Sequence, residues 1–166
     1  YEIWDIERAH RFDTFGKNDN PVNVNFLDEF GESLKCLYQK DKNNVYTAFT
    51  GFMSGDQLYS LYDKWGTRLL ERNVRAYLQN RGNVNKGIRN TIKNEPELFL
   101  AFNNGLTITA DNVNIKFLDD QQCDIEELTD FQIVNGGQTC ASIWHAKEQD
   151  KTSISDIRVL IKLTVI

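Results

Sequence analysis

The sequence predicts an α+β fold in which helices pack on a mixed sheet, and three observations predict this class. Alternating apolar and polar residues, typical of half-buried strands, occur near both ends of the chain. Apolar residues spaced three and four positions apart, typical of helices, occupy its centre. The 166 residues, 40% of them hydrophobic, suffice for one domain with a real core and are too few for a two-domain enzyme. We expect a single domain, truncated at both ends, with a β-rich part over residues 1–54 and a helical and mixed α/β core over residues 55–166.

The sequence pattern of the N-terminal part predicts a β-hairpin region. Residues 22–26 alternate apolar and polar, and two longer β-type runs, Leu34–Gln39 and Val45–Met53, are separated by the polar residues 40–44. Two such runs joined by a short polar segment are typical of a hairpin. The first twenty residues carry little periodic signal.

Three helices are predicted in the centre of the chain. The first runs from Gly55 to about Glu71 or Tyr77, because an apolar stripe repeats through Leu58, Leu61, Tyr62, Trp65 and Leu69. The second covers about residues 84–92. The third opens at Pro96, since proline is tolerated in a first helical turn, and ends at residues 103–105.

The sequence pattern of the C-terminal part predicts a mixed sheet with a strand–glycine loop–helix unit. In chain order we expect strands 106–110 and 113–117, an acidic turn 119–130, strand 131–134, a glycine loop 135–137, helix 138–147 and strand 158–166. The chain begins at Tyr1 without Met and ends within a β-type run, so we expect it to be a fragment of a longer protein.

Charge and composition limit the possible functions. With 19 Lys plus Arg against 24 Asp plus Glu, the net charge of −5 excludes a histone-like basic coat, so nucleic-acid contact requires a local patch. No apolar run approaches the roughly 20 residues of a membrane span and no leader is visible, so we expect a cytoplasmic protein without membrane contact. The three cysteines fit neither a disulfide framework nor a metal knuckle. No metal site is predicted, and the cofactor, if there is one, is unknown.

A local patch of positive charge is present. Between Lys64 and Lys93 the only acidic residue is Glu71, and the local charge is +7, leaving −12 for the rest. Two groups of basic residues fall at helical spacings that would align each group on one face, the first opposite the apolar stripe. They are Lys64, Arg68, Arg72 and Arg75, and then Lys86, Arg89 and Lys93, with Arg81 between the two groups. The hypothesis is a face that contacts a polyanion. The alternative is that these residues pair with the acidic turns or face water.

Two loops rich in amides and glycine are candidate recognition elements. Asn103–Gly105 ends a helix, which a simple helix cap also explains. Residues 134–139 lead from a strand into a helix, where exposed N–H groups suit an anion, although many such turns bind nothing. Asn, Gln and Thr do not exchange protons near neutral pH but can hold a phosphate or a base edge. The candidate ligand-binding residues are Arg72, Asn73, Arg75, Asn103, Asn104, Gly105, Asn135, Gly136, Gly137, Gln138 and Thr139.

The sequence offers no catalytic set. His10 and His145 are isolated, no Ser lies in a nucleophile elbow, and no two His fall at metal-ligand spacing. The acidic residues between 119 and 130 lack the alternation and glycine of a calcium loop, so a solvated turn is the simpler interpretation. No catalytic residue is therefore assigned.

Four segments, taken in order, carry a family resemblance. They are LLERNVR at 69–75, VNKGIRNT at 84–91, FLAFNNGLTI at 99–108 and IVNGGQT at 133–139. Together they resemble the abortive-infection phage-resistance family known as AIPR proteins, over about residues 65–146. The resemblance implies a cytoplasmic bacterial antiviral protein, often with a nuclease-like segment upstream. No nuclease motif is visible in this chain, so that activity would reside upstream.

A more distant similarity is to the partition-protein and DNA-modification-sensor group. It implies that a strand, a glycine loop and a helix contact a nucleotide or a DNA phosphate. Residues 135–139 stand where that group tends to carry charged residues after its glycine. This departure argues against hydrolysis more than against phosphate contact.

Three functional hypotheses follow. The first is a recognition module for nucleic acid or nucleotide phosphate. The second is a nucleoside-triphosphate-binding enzyme domain, with Gly136 and Gly137 around the phosphates and Arg72 or Arg75 countering their charge. The third is a structural or interaction domain of a larger defence nuclease, in which a buried polar network joins helices to sheet. Its members would be Arg72, Arg75, Asn103 and Asn135. The other expected partner is the remainder of its own longer chain, and the sequence does not indicate an oligomeric state.

Overall fold

The computed structural model describes residues 21–43, 45–72 and 86–165, and it confirms the α+β class. The strands are β1 Val24–Asn25, β2 Leu34–Lys40, β3 Thr47–Ser54, β4 Leu106–Ala110, β5 Asn112–Phe117, β6 Gln122–Thr129, β7 Gln132–Asn135 and β8 Arg158–Val165. The helices are α1 Phe26–Phe30, α2 Gly55–Trp65, α3 Lys86–Asn94, α4 Phe99–Phe102 and α5 Gly137–Glu148. Two 3₁₀ turns, Gly66–Leu70 and Pro96–Leu98, follow α2 and precede α4.

The strands form one mixed sheet in the order β1-β6-β2-β3-β8-β4-β7, with β5 paired to β6. All pairs are antiparallel except β4 and β8, in which Leu106 lies opposite Ile161. The predicted hairpin is confirmed as β2 and β3, with Cys36 opposite Gly51. Helices α2 and α5 contact each other, and α5 also contacts α3.

Strand alternation places the core on one face of the sheet. In β8, Val159, Ile161 and Leu163 are buried, whereas Leu160 and Lys162 between them are exposed. Each fully buried aliphatic side chain of this kind contributes about 1.5–3 kcal/mol to folding. No helix among the described residues is both long and apolar enough to cross a membrane.

The first helix ends earlier than the sequence predicts. A capping box between Ser54 and Gln57 starts α2, as the Ser54 side chain accepts from Gln57 N at 3.1 Å. The helix stops at Trp65, because Gly66 adopts a φ of +55° in the left-handed region that favours glycine. The prediction of a helix to Glu71 or beyond is therefore wrong. Lys64 lies on α2 and Arg68 on the 3₁₀ turn, so they do not share one continuous helical face.

The predicted acidic turn at 119–130 is also wrong over most of its length, because residues 122–129 form β6. Its apolar residues Cys123, Ile125 and Leu128 are buried. A bulge between β5 and β6 places Ile125 and Glu127 opposite consecutive residues of β5, which breaks the period-2 pattern at Glu126. The carboxylates of β6 are half-buried rather than fully solvated.

The remaining predicted elements are present with shifted ends. The first β-type run, predicted over residues 22–26, forms only the two-residue strand β1. The short helix α1 that follows was not predicted. Asn25 caps this helix, since its side chain accepts a hydrogen bond from Asp28 N at 3.0 Å. Strands β4, β5, β7 and β8 and helices α3 and α5 begin within two residues of their predicted starts. The turn from Pro96 and α4 form the third central helix and end at Phe102.

Candidate functional site

The two amide-rich loops lie side by side. Strand β4 follows the first loop and β7 precedes the second, and these antiparallel strands place Thr107 opposite Asn135. Asn103 Nδ2 donates to Thr139 Oγ1 at 3.1 Å, and Asn103 Oδ1 accepts from Gly105 N at 2.9 Å. We call residues 103–105 and 135–139 the amide loop pair.

Close packing accounts for the glycines of the amide loop pair. Gly105 has a φ of +77° and Gly136 a φ of +94°, both in the left-handed region that other residues rarely adopt. A Cβ at Gly105 would lie 2.3 Å from Leu160 O, and a Cβ at Gly136 would lie 2.8 Å from Gly105 O. The packing of the loops on each other and on β8 thus requires both glycines, whether or not a ligand binds.

The side chains of the amide loop pair divide into an inner and an outer set. Thr139 is buried and Asn103 half-buried, and they bond to each other. Asn104, Asn135 and Gln138 are exposed. Within the loop pair, the outer set can meet a ligand without rearrangement.

Arg72 lies at the opposite end of the β4–β7 pair. Its Nη2 donates to Asp130 Oδ2 at 2.5 Å and to Asp111 Oδ1 at 3.1 Å. Asp111 follows β4, four residues beyond Thr107, so about 13 Å of strand separates this contact from the amide loop pair. The structure brings the two loops together but places the Arg72 guanidinium away from them.

Gln132 completes a cluster with Arg72, Asp111 and Asp130, which we call the Arg72 cluster. The Gln132 side chain, 1% exposed, accepts from Arg72 N at 3.3 Å and donates to Arg68 O at 3.1 Å. These bonds tie the 3₁₀ turn after α2 to the sheet. This is the kind of role that the structural hypothesis assigns to Arg72.

The other basic residues near α2 also have protein contacts. Lys64 Nζ lies 3.0 Å from Glu29 Oε1. The Arg68 guanidinium lies 5.1 Å from the centre of the Trp65 ring, a cation–π contact. The predicted site residues Asn73 and Arg75, and Arg81 of the basic stretch, lie outside the described residues.

The C-terminal part of the basic stretch lines an open depression of about 230 Å³. We call it the basic depression, and its lining residues are Lys86, Arg89, Asn90 and Lys93 of α3 together with Asp150. Arg89 binds Asp150 through two hydrogen bonds, one of them from Nε to Oδ2 at 3.1 Å. The ammonium groups of Lys86 and Lys93 are exposed, and neither forms a hydrogen bond or salt bridge with the described residues.

The ion pair leaves the basic depression positively charged. The hydrogen bond from Arg89 lowers the pKa of the Asp150 carboxyl below its ordinary value; burial opposes this shift, and the charges of Arg89 and Lys93 add to it. The same bond raises the pKa of Arg89. Both groups stay ionised near neutral pH, so three cations face one carboxylate. A net charge of about +2 in an open depression favours an anionic ligand.

The described residues present binding groups rather than a reactive set. Burial raises the pKa of the Cys36 and Cys140 thiols to about 12 and that of Cys123 to about 11, so these thiols are protonated and weakly nucleophilic at neutral pH. Over residues 21–43, 45–72 and 86–165, no three His, Cys, Asp or Glu side chains are grouped to hold a metal ion. What these clusters offer a ligand is hydrogen bonding and positive charge.

The sequence offers Asp130, within the acidic turn 119–130, as an alternative partner of the basic residues, but it does not mark Asp111, Asp150 or Gln132. Asp111 and Asp130 each border a strand, and the pairings of β4 with β7 and of β5 with β6 bring them to one guanidinium. Asp150 is 61 residues from Arg89 along the chain. No local sequence pattern identifies partners so far apart along the chain. An aspartate at the end of a predicted strand is nevertheless a usable signal, because such a residue is a candidate partner for an arginine that has no acidic neighbour in its own segment.

Comparison with known proteins agrees with the resemblance found in the sequence. The model of the AIPR family, described as AIPR protein, matches residues 70–166, more than half of the chain. Neither a curated protein nor a solved structure gives a significant match. The matched region contains the Arg72 cluster, the basic depression and the amide loop pair. The chain therefore belongs to the AIPR family, and this membership points to abortive-infection resistance to phage.

Proposed function

We propose that this chain recognises the phosphate groups of a nucleic acid or nucleotide as part of abortive-infection defence. The observation that carries the proposal is the basic depression. Lys86, Arg89 and Lys93 are spaced three and four residues apart on α3, where like charges repel by about 0.2–0.5 kcal/mol per neighbouring pair. One carboxylate, Asp150, offsets this repulsion in part, and a bound phosphate would offset the rest.

The amide loop pair supports the proposal with a second set of polar groups. Asn104, Asn135 and Gln138 are exposed, and their amides both donate and accept hydrogen bonds. They lie near the start of α5, where the helix dipole favours negative charge. Phosphate contacts of this kind position a nucleic acid without proton transfer.

The experiment is a binding titration of the 166-residue chain against labelled single-stranded and duplex oligonucleotides and ATP over a salt series. We expect the logarithm of the association constant to fall linearly with the logarithm of salt concentration. Changing both Lys86 and Lys93 to Gln removes two phosphate contacts, so the salt slope should fall by about 1.4 for a single strand and about 1.8 for a duplex.

The matched control changes Lys35 and Lys116 to Gln, because both are exposed lysines, on β2 and β5, on the side of the sheet away from β4, β7 and the basic depression. The control should leave affinity and slope near those of the unchanged chain. Absence of salt-dependent binding to any probe, or an equal loss in the control, would contradict the proposal.

A second candidate function, a structural or interaction domain of a larger defence nuclease, is supported by the Arg72 cluster. The Arg72 guanidinium is occupied by two carboxylates and does not need a ligand. If this candidate is correct, substitutions in the cluster lower the melting temperature and no probe binds. The same titration therefore separates the two candidates.

A further inference from the structure

Phe102 is the most exposed aromatic ring beside the candidate site. It is the last residue of α4, directly before Asn103, and its side chain is 65% exposed. Phe117 is 50% exposed, but its ring packs on Tyr38 with centres 5.0 Å apart and lies under Lys40 Nζ. Among the described residues, the Phe102 ring has no such aromatic or cationic neighbour. An open ring face next to exposed amides is a platform on which a flat ligand can stack.

The Phe102 ring and the basic depression lie toward opposite ends of α5. Asn103, next to Phe102, bonds to Thr139 in the first turn of this helix, whereas Asp150 of the depression follows its last turn. Eleven residues at 1.5 Å each separate Thr139 from Asp150, about 16 Å. This equals about five phosphate steps at the spacing of one B-form strand. One nucleotide cannot reach both places, but a short polynucleotide can.

We propose that the ligand is a single-stranded nucleic acid whose backbone crosses the basic depression and whose unpaired base stacks on Phe102. This inference rests on the function proposed above. The inference specifies a single strand because, in a duplex, the faces of each base are covered by the neighbouring bases. An unpaired base can offer its face to the Phe102 ring and its edge to the Asn104 and Gln138 amides. Charge complementarity with the depression favours a polyanion over an apolar protein partner on this ring.

The test compares oligothymidylate with an abasic oligomer of the same length, which keeps the phosphates and lacks the bases. Stacking of one base is worth a factor of about 5 to 150 in affinity by alanine substitution. We expect Phe102→Ala to lose a factor in that range for oligothymidylate and none for the abasic oligomer, and Phe102→Trp to retain binding. Changing Lys86 and Lys93 to Gln should weaken both probes.

The matched control is Tyr46→Ala, because Tyr46 is 45% exposed directly before β3, at the end of the sheet opposite to the amide loop pair. It should leave both probes unaffected, and thermal melting should show that both ring variants stay folded. Equal binding of the two probes by the unchanged chain, or no effect of Phe102→Ala on oligothymidylate, overturns the stacking inference while the phosphate proposal stands.

Three further outcomes are also decisive. If Phe102→Ala weakens both probes equally, or if it dissociates a dimer without affecting either probe, Phe102 is not a base platform and the inference is overturned. If neither probe binds the unchanged chain at low salt, the phosphate proposal itself fails together with this inference.

Discussion

Arg72 and Arg89 come from one basic stretch of sequence, and each pairs with aspartate, but they end in opposite electrostatic surroundings. Arg72 faces two carboxylates, Asp111 and Asp130, and its own backbone N–H is bonded by the buried Gln132. Within the part of the chain that the structure describes, Arg89 faces one carboxylate, Asp150, with two more cations in the same depression. The Arg72 cluster carries an excess of negative charge and the basic depression an excess of positive charge. The immediate charge balance, not the presence of arginine, decides which region suits an anion.

The largest effect that sharpens this comparison is on stability. We expect Arg72→Ala to lower the free energy of unfolding by about 2 kcal/mol, because it leaves the buried Asp130 carboxylate with its charge uncompensated. The matched variant Arg89→Ala should cost much less, since the Asp150 side chain that it leaves behind is more exposed than that of Asp130. Urea unfolding of the two variants measures the difference. Equal losses of unfolding free energy would show that the two arginines contribute equally to stability and would contradict the comparison.

A smaller effect concerns ligand affinity. Asp150 is the one carboxylate that the described residues contribute to the lining of the basic depression. Asp150→Asn removes it, so the net charge of these lining residues rises from about +2 to about +3. We expect affinity for an oligonucleotide to rise about threefold at low salt, and the salt slope to steepen by about 0.7 for a single strand. Asp111→Asn is the control, because it removes an exposed carboxylate at the Arg72 cluster instead. An increase of the same size in the control would remove the distinction between the two regions.

The meeting of the amide loops was predictable in part from the sequence. Each loop carries an Asn-Gly pair where a strand meets a helix, so their composition alone marked them as turns with special backbone geometry. Their contact depends on the pairing of β4 with β7, which local patterns do not specify.

The two wrong predictions have definite physical causes. The apolar stripe runs on into Leu69 and Leu70, which are buried, but on a 3₁₀ turn after the break at Gly66 rather than on the same helix. In β6 the bulge at Glu126 moves burial from odd to even positions. A period-based reading sees a continued helix in the first case and a solvated turn in the second.

The smallest effect tests how Arg89 holds Asp150 in its charged form. Because Arg89 lowers the pKa of the Asp150 carboxyl below 3.8, Asp150 stays ionised throughout the range from about pH 5 to pH 8. The affinity ratio between Asp150→Asn and the unchanged chain should therefore be constant over this range. A carboxyl whose pKa is lowered by folding stabilises the protein above its unfolded pKa, and this contribution is lost as pH falls through the folded value. The stability difference between the two proteins should accordingly shrink only below about pH 4. A stability difference that stays constant as the pH falls from 7 to 2 would mean that Arg89 does not lower the pKa of Asp150.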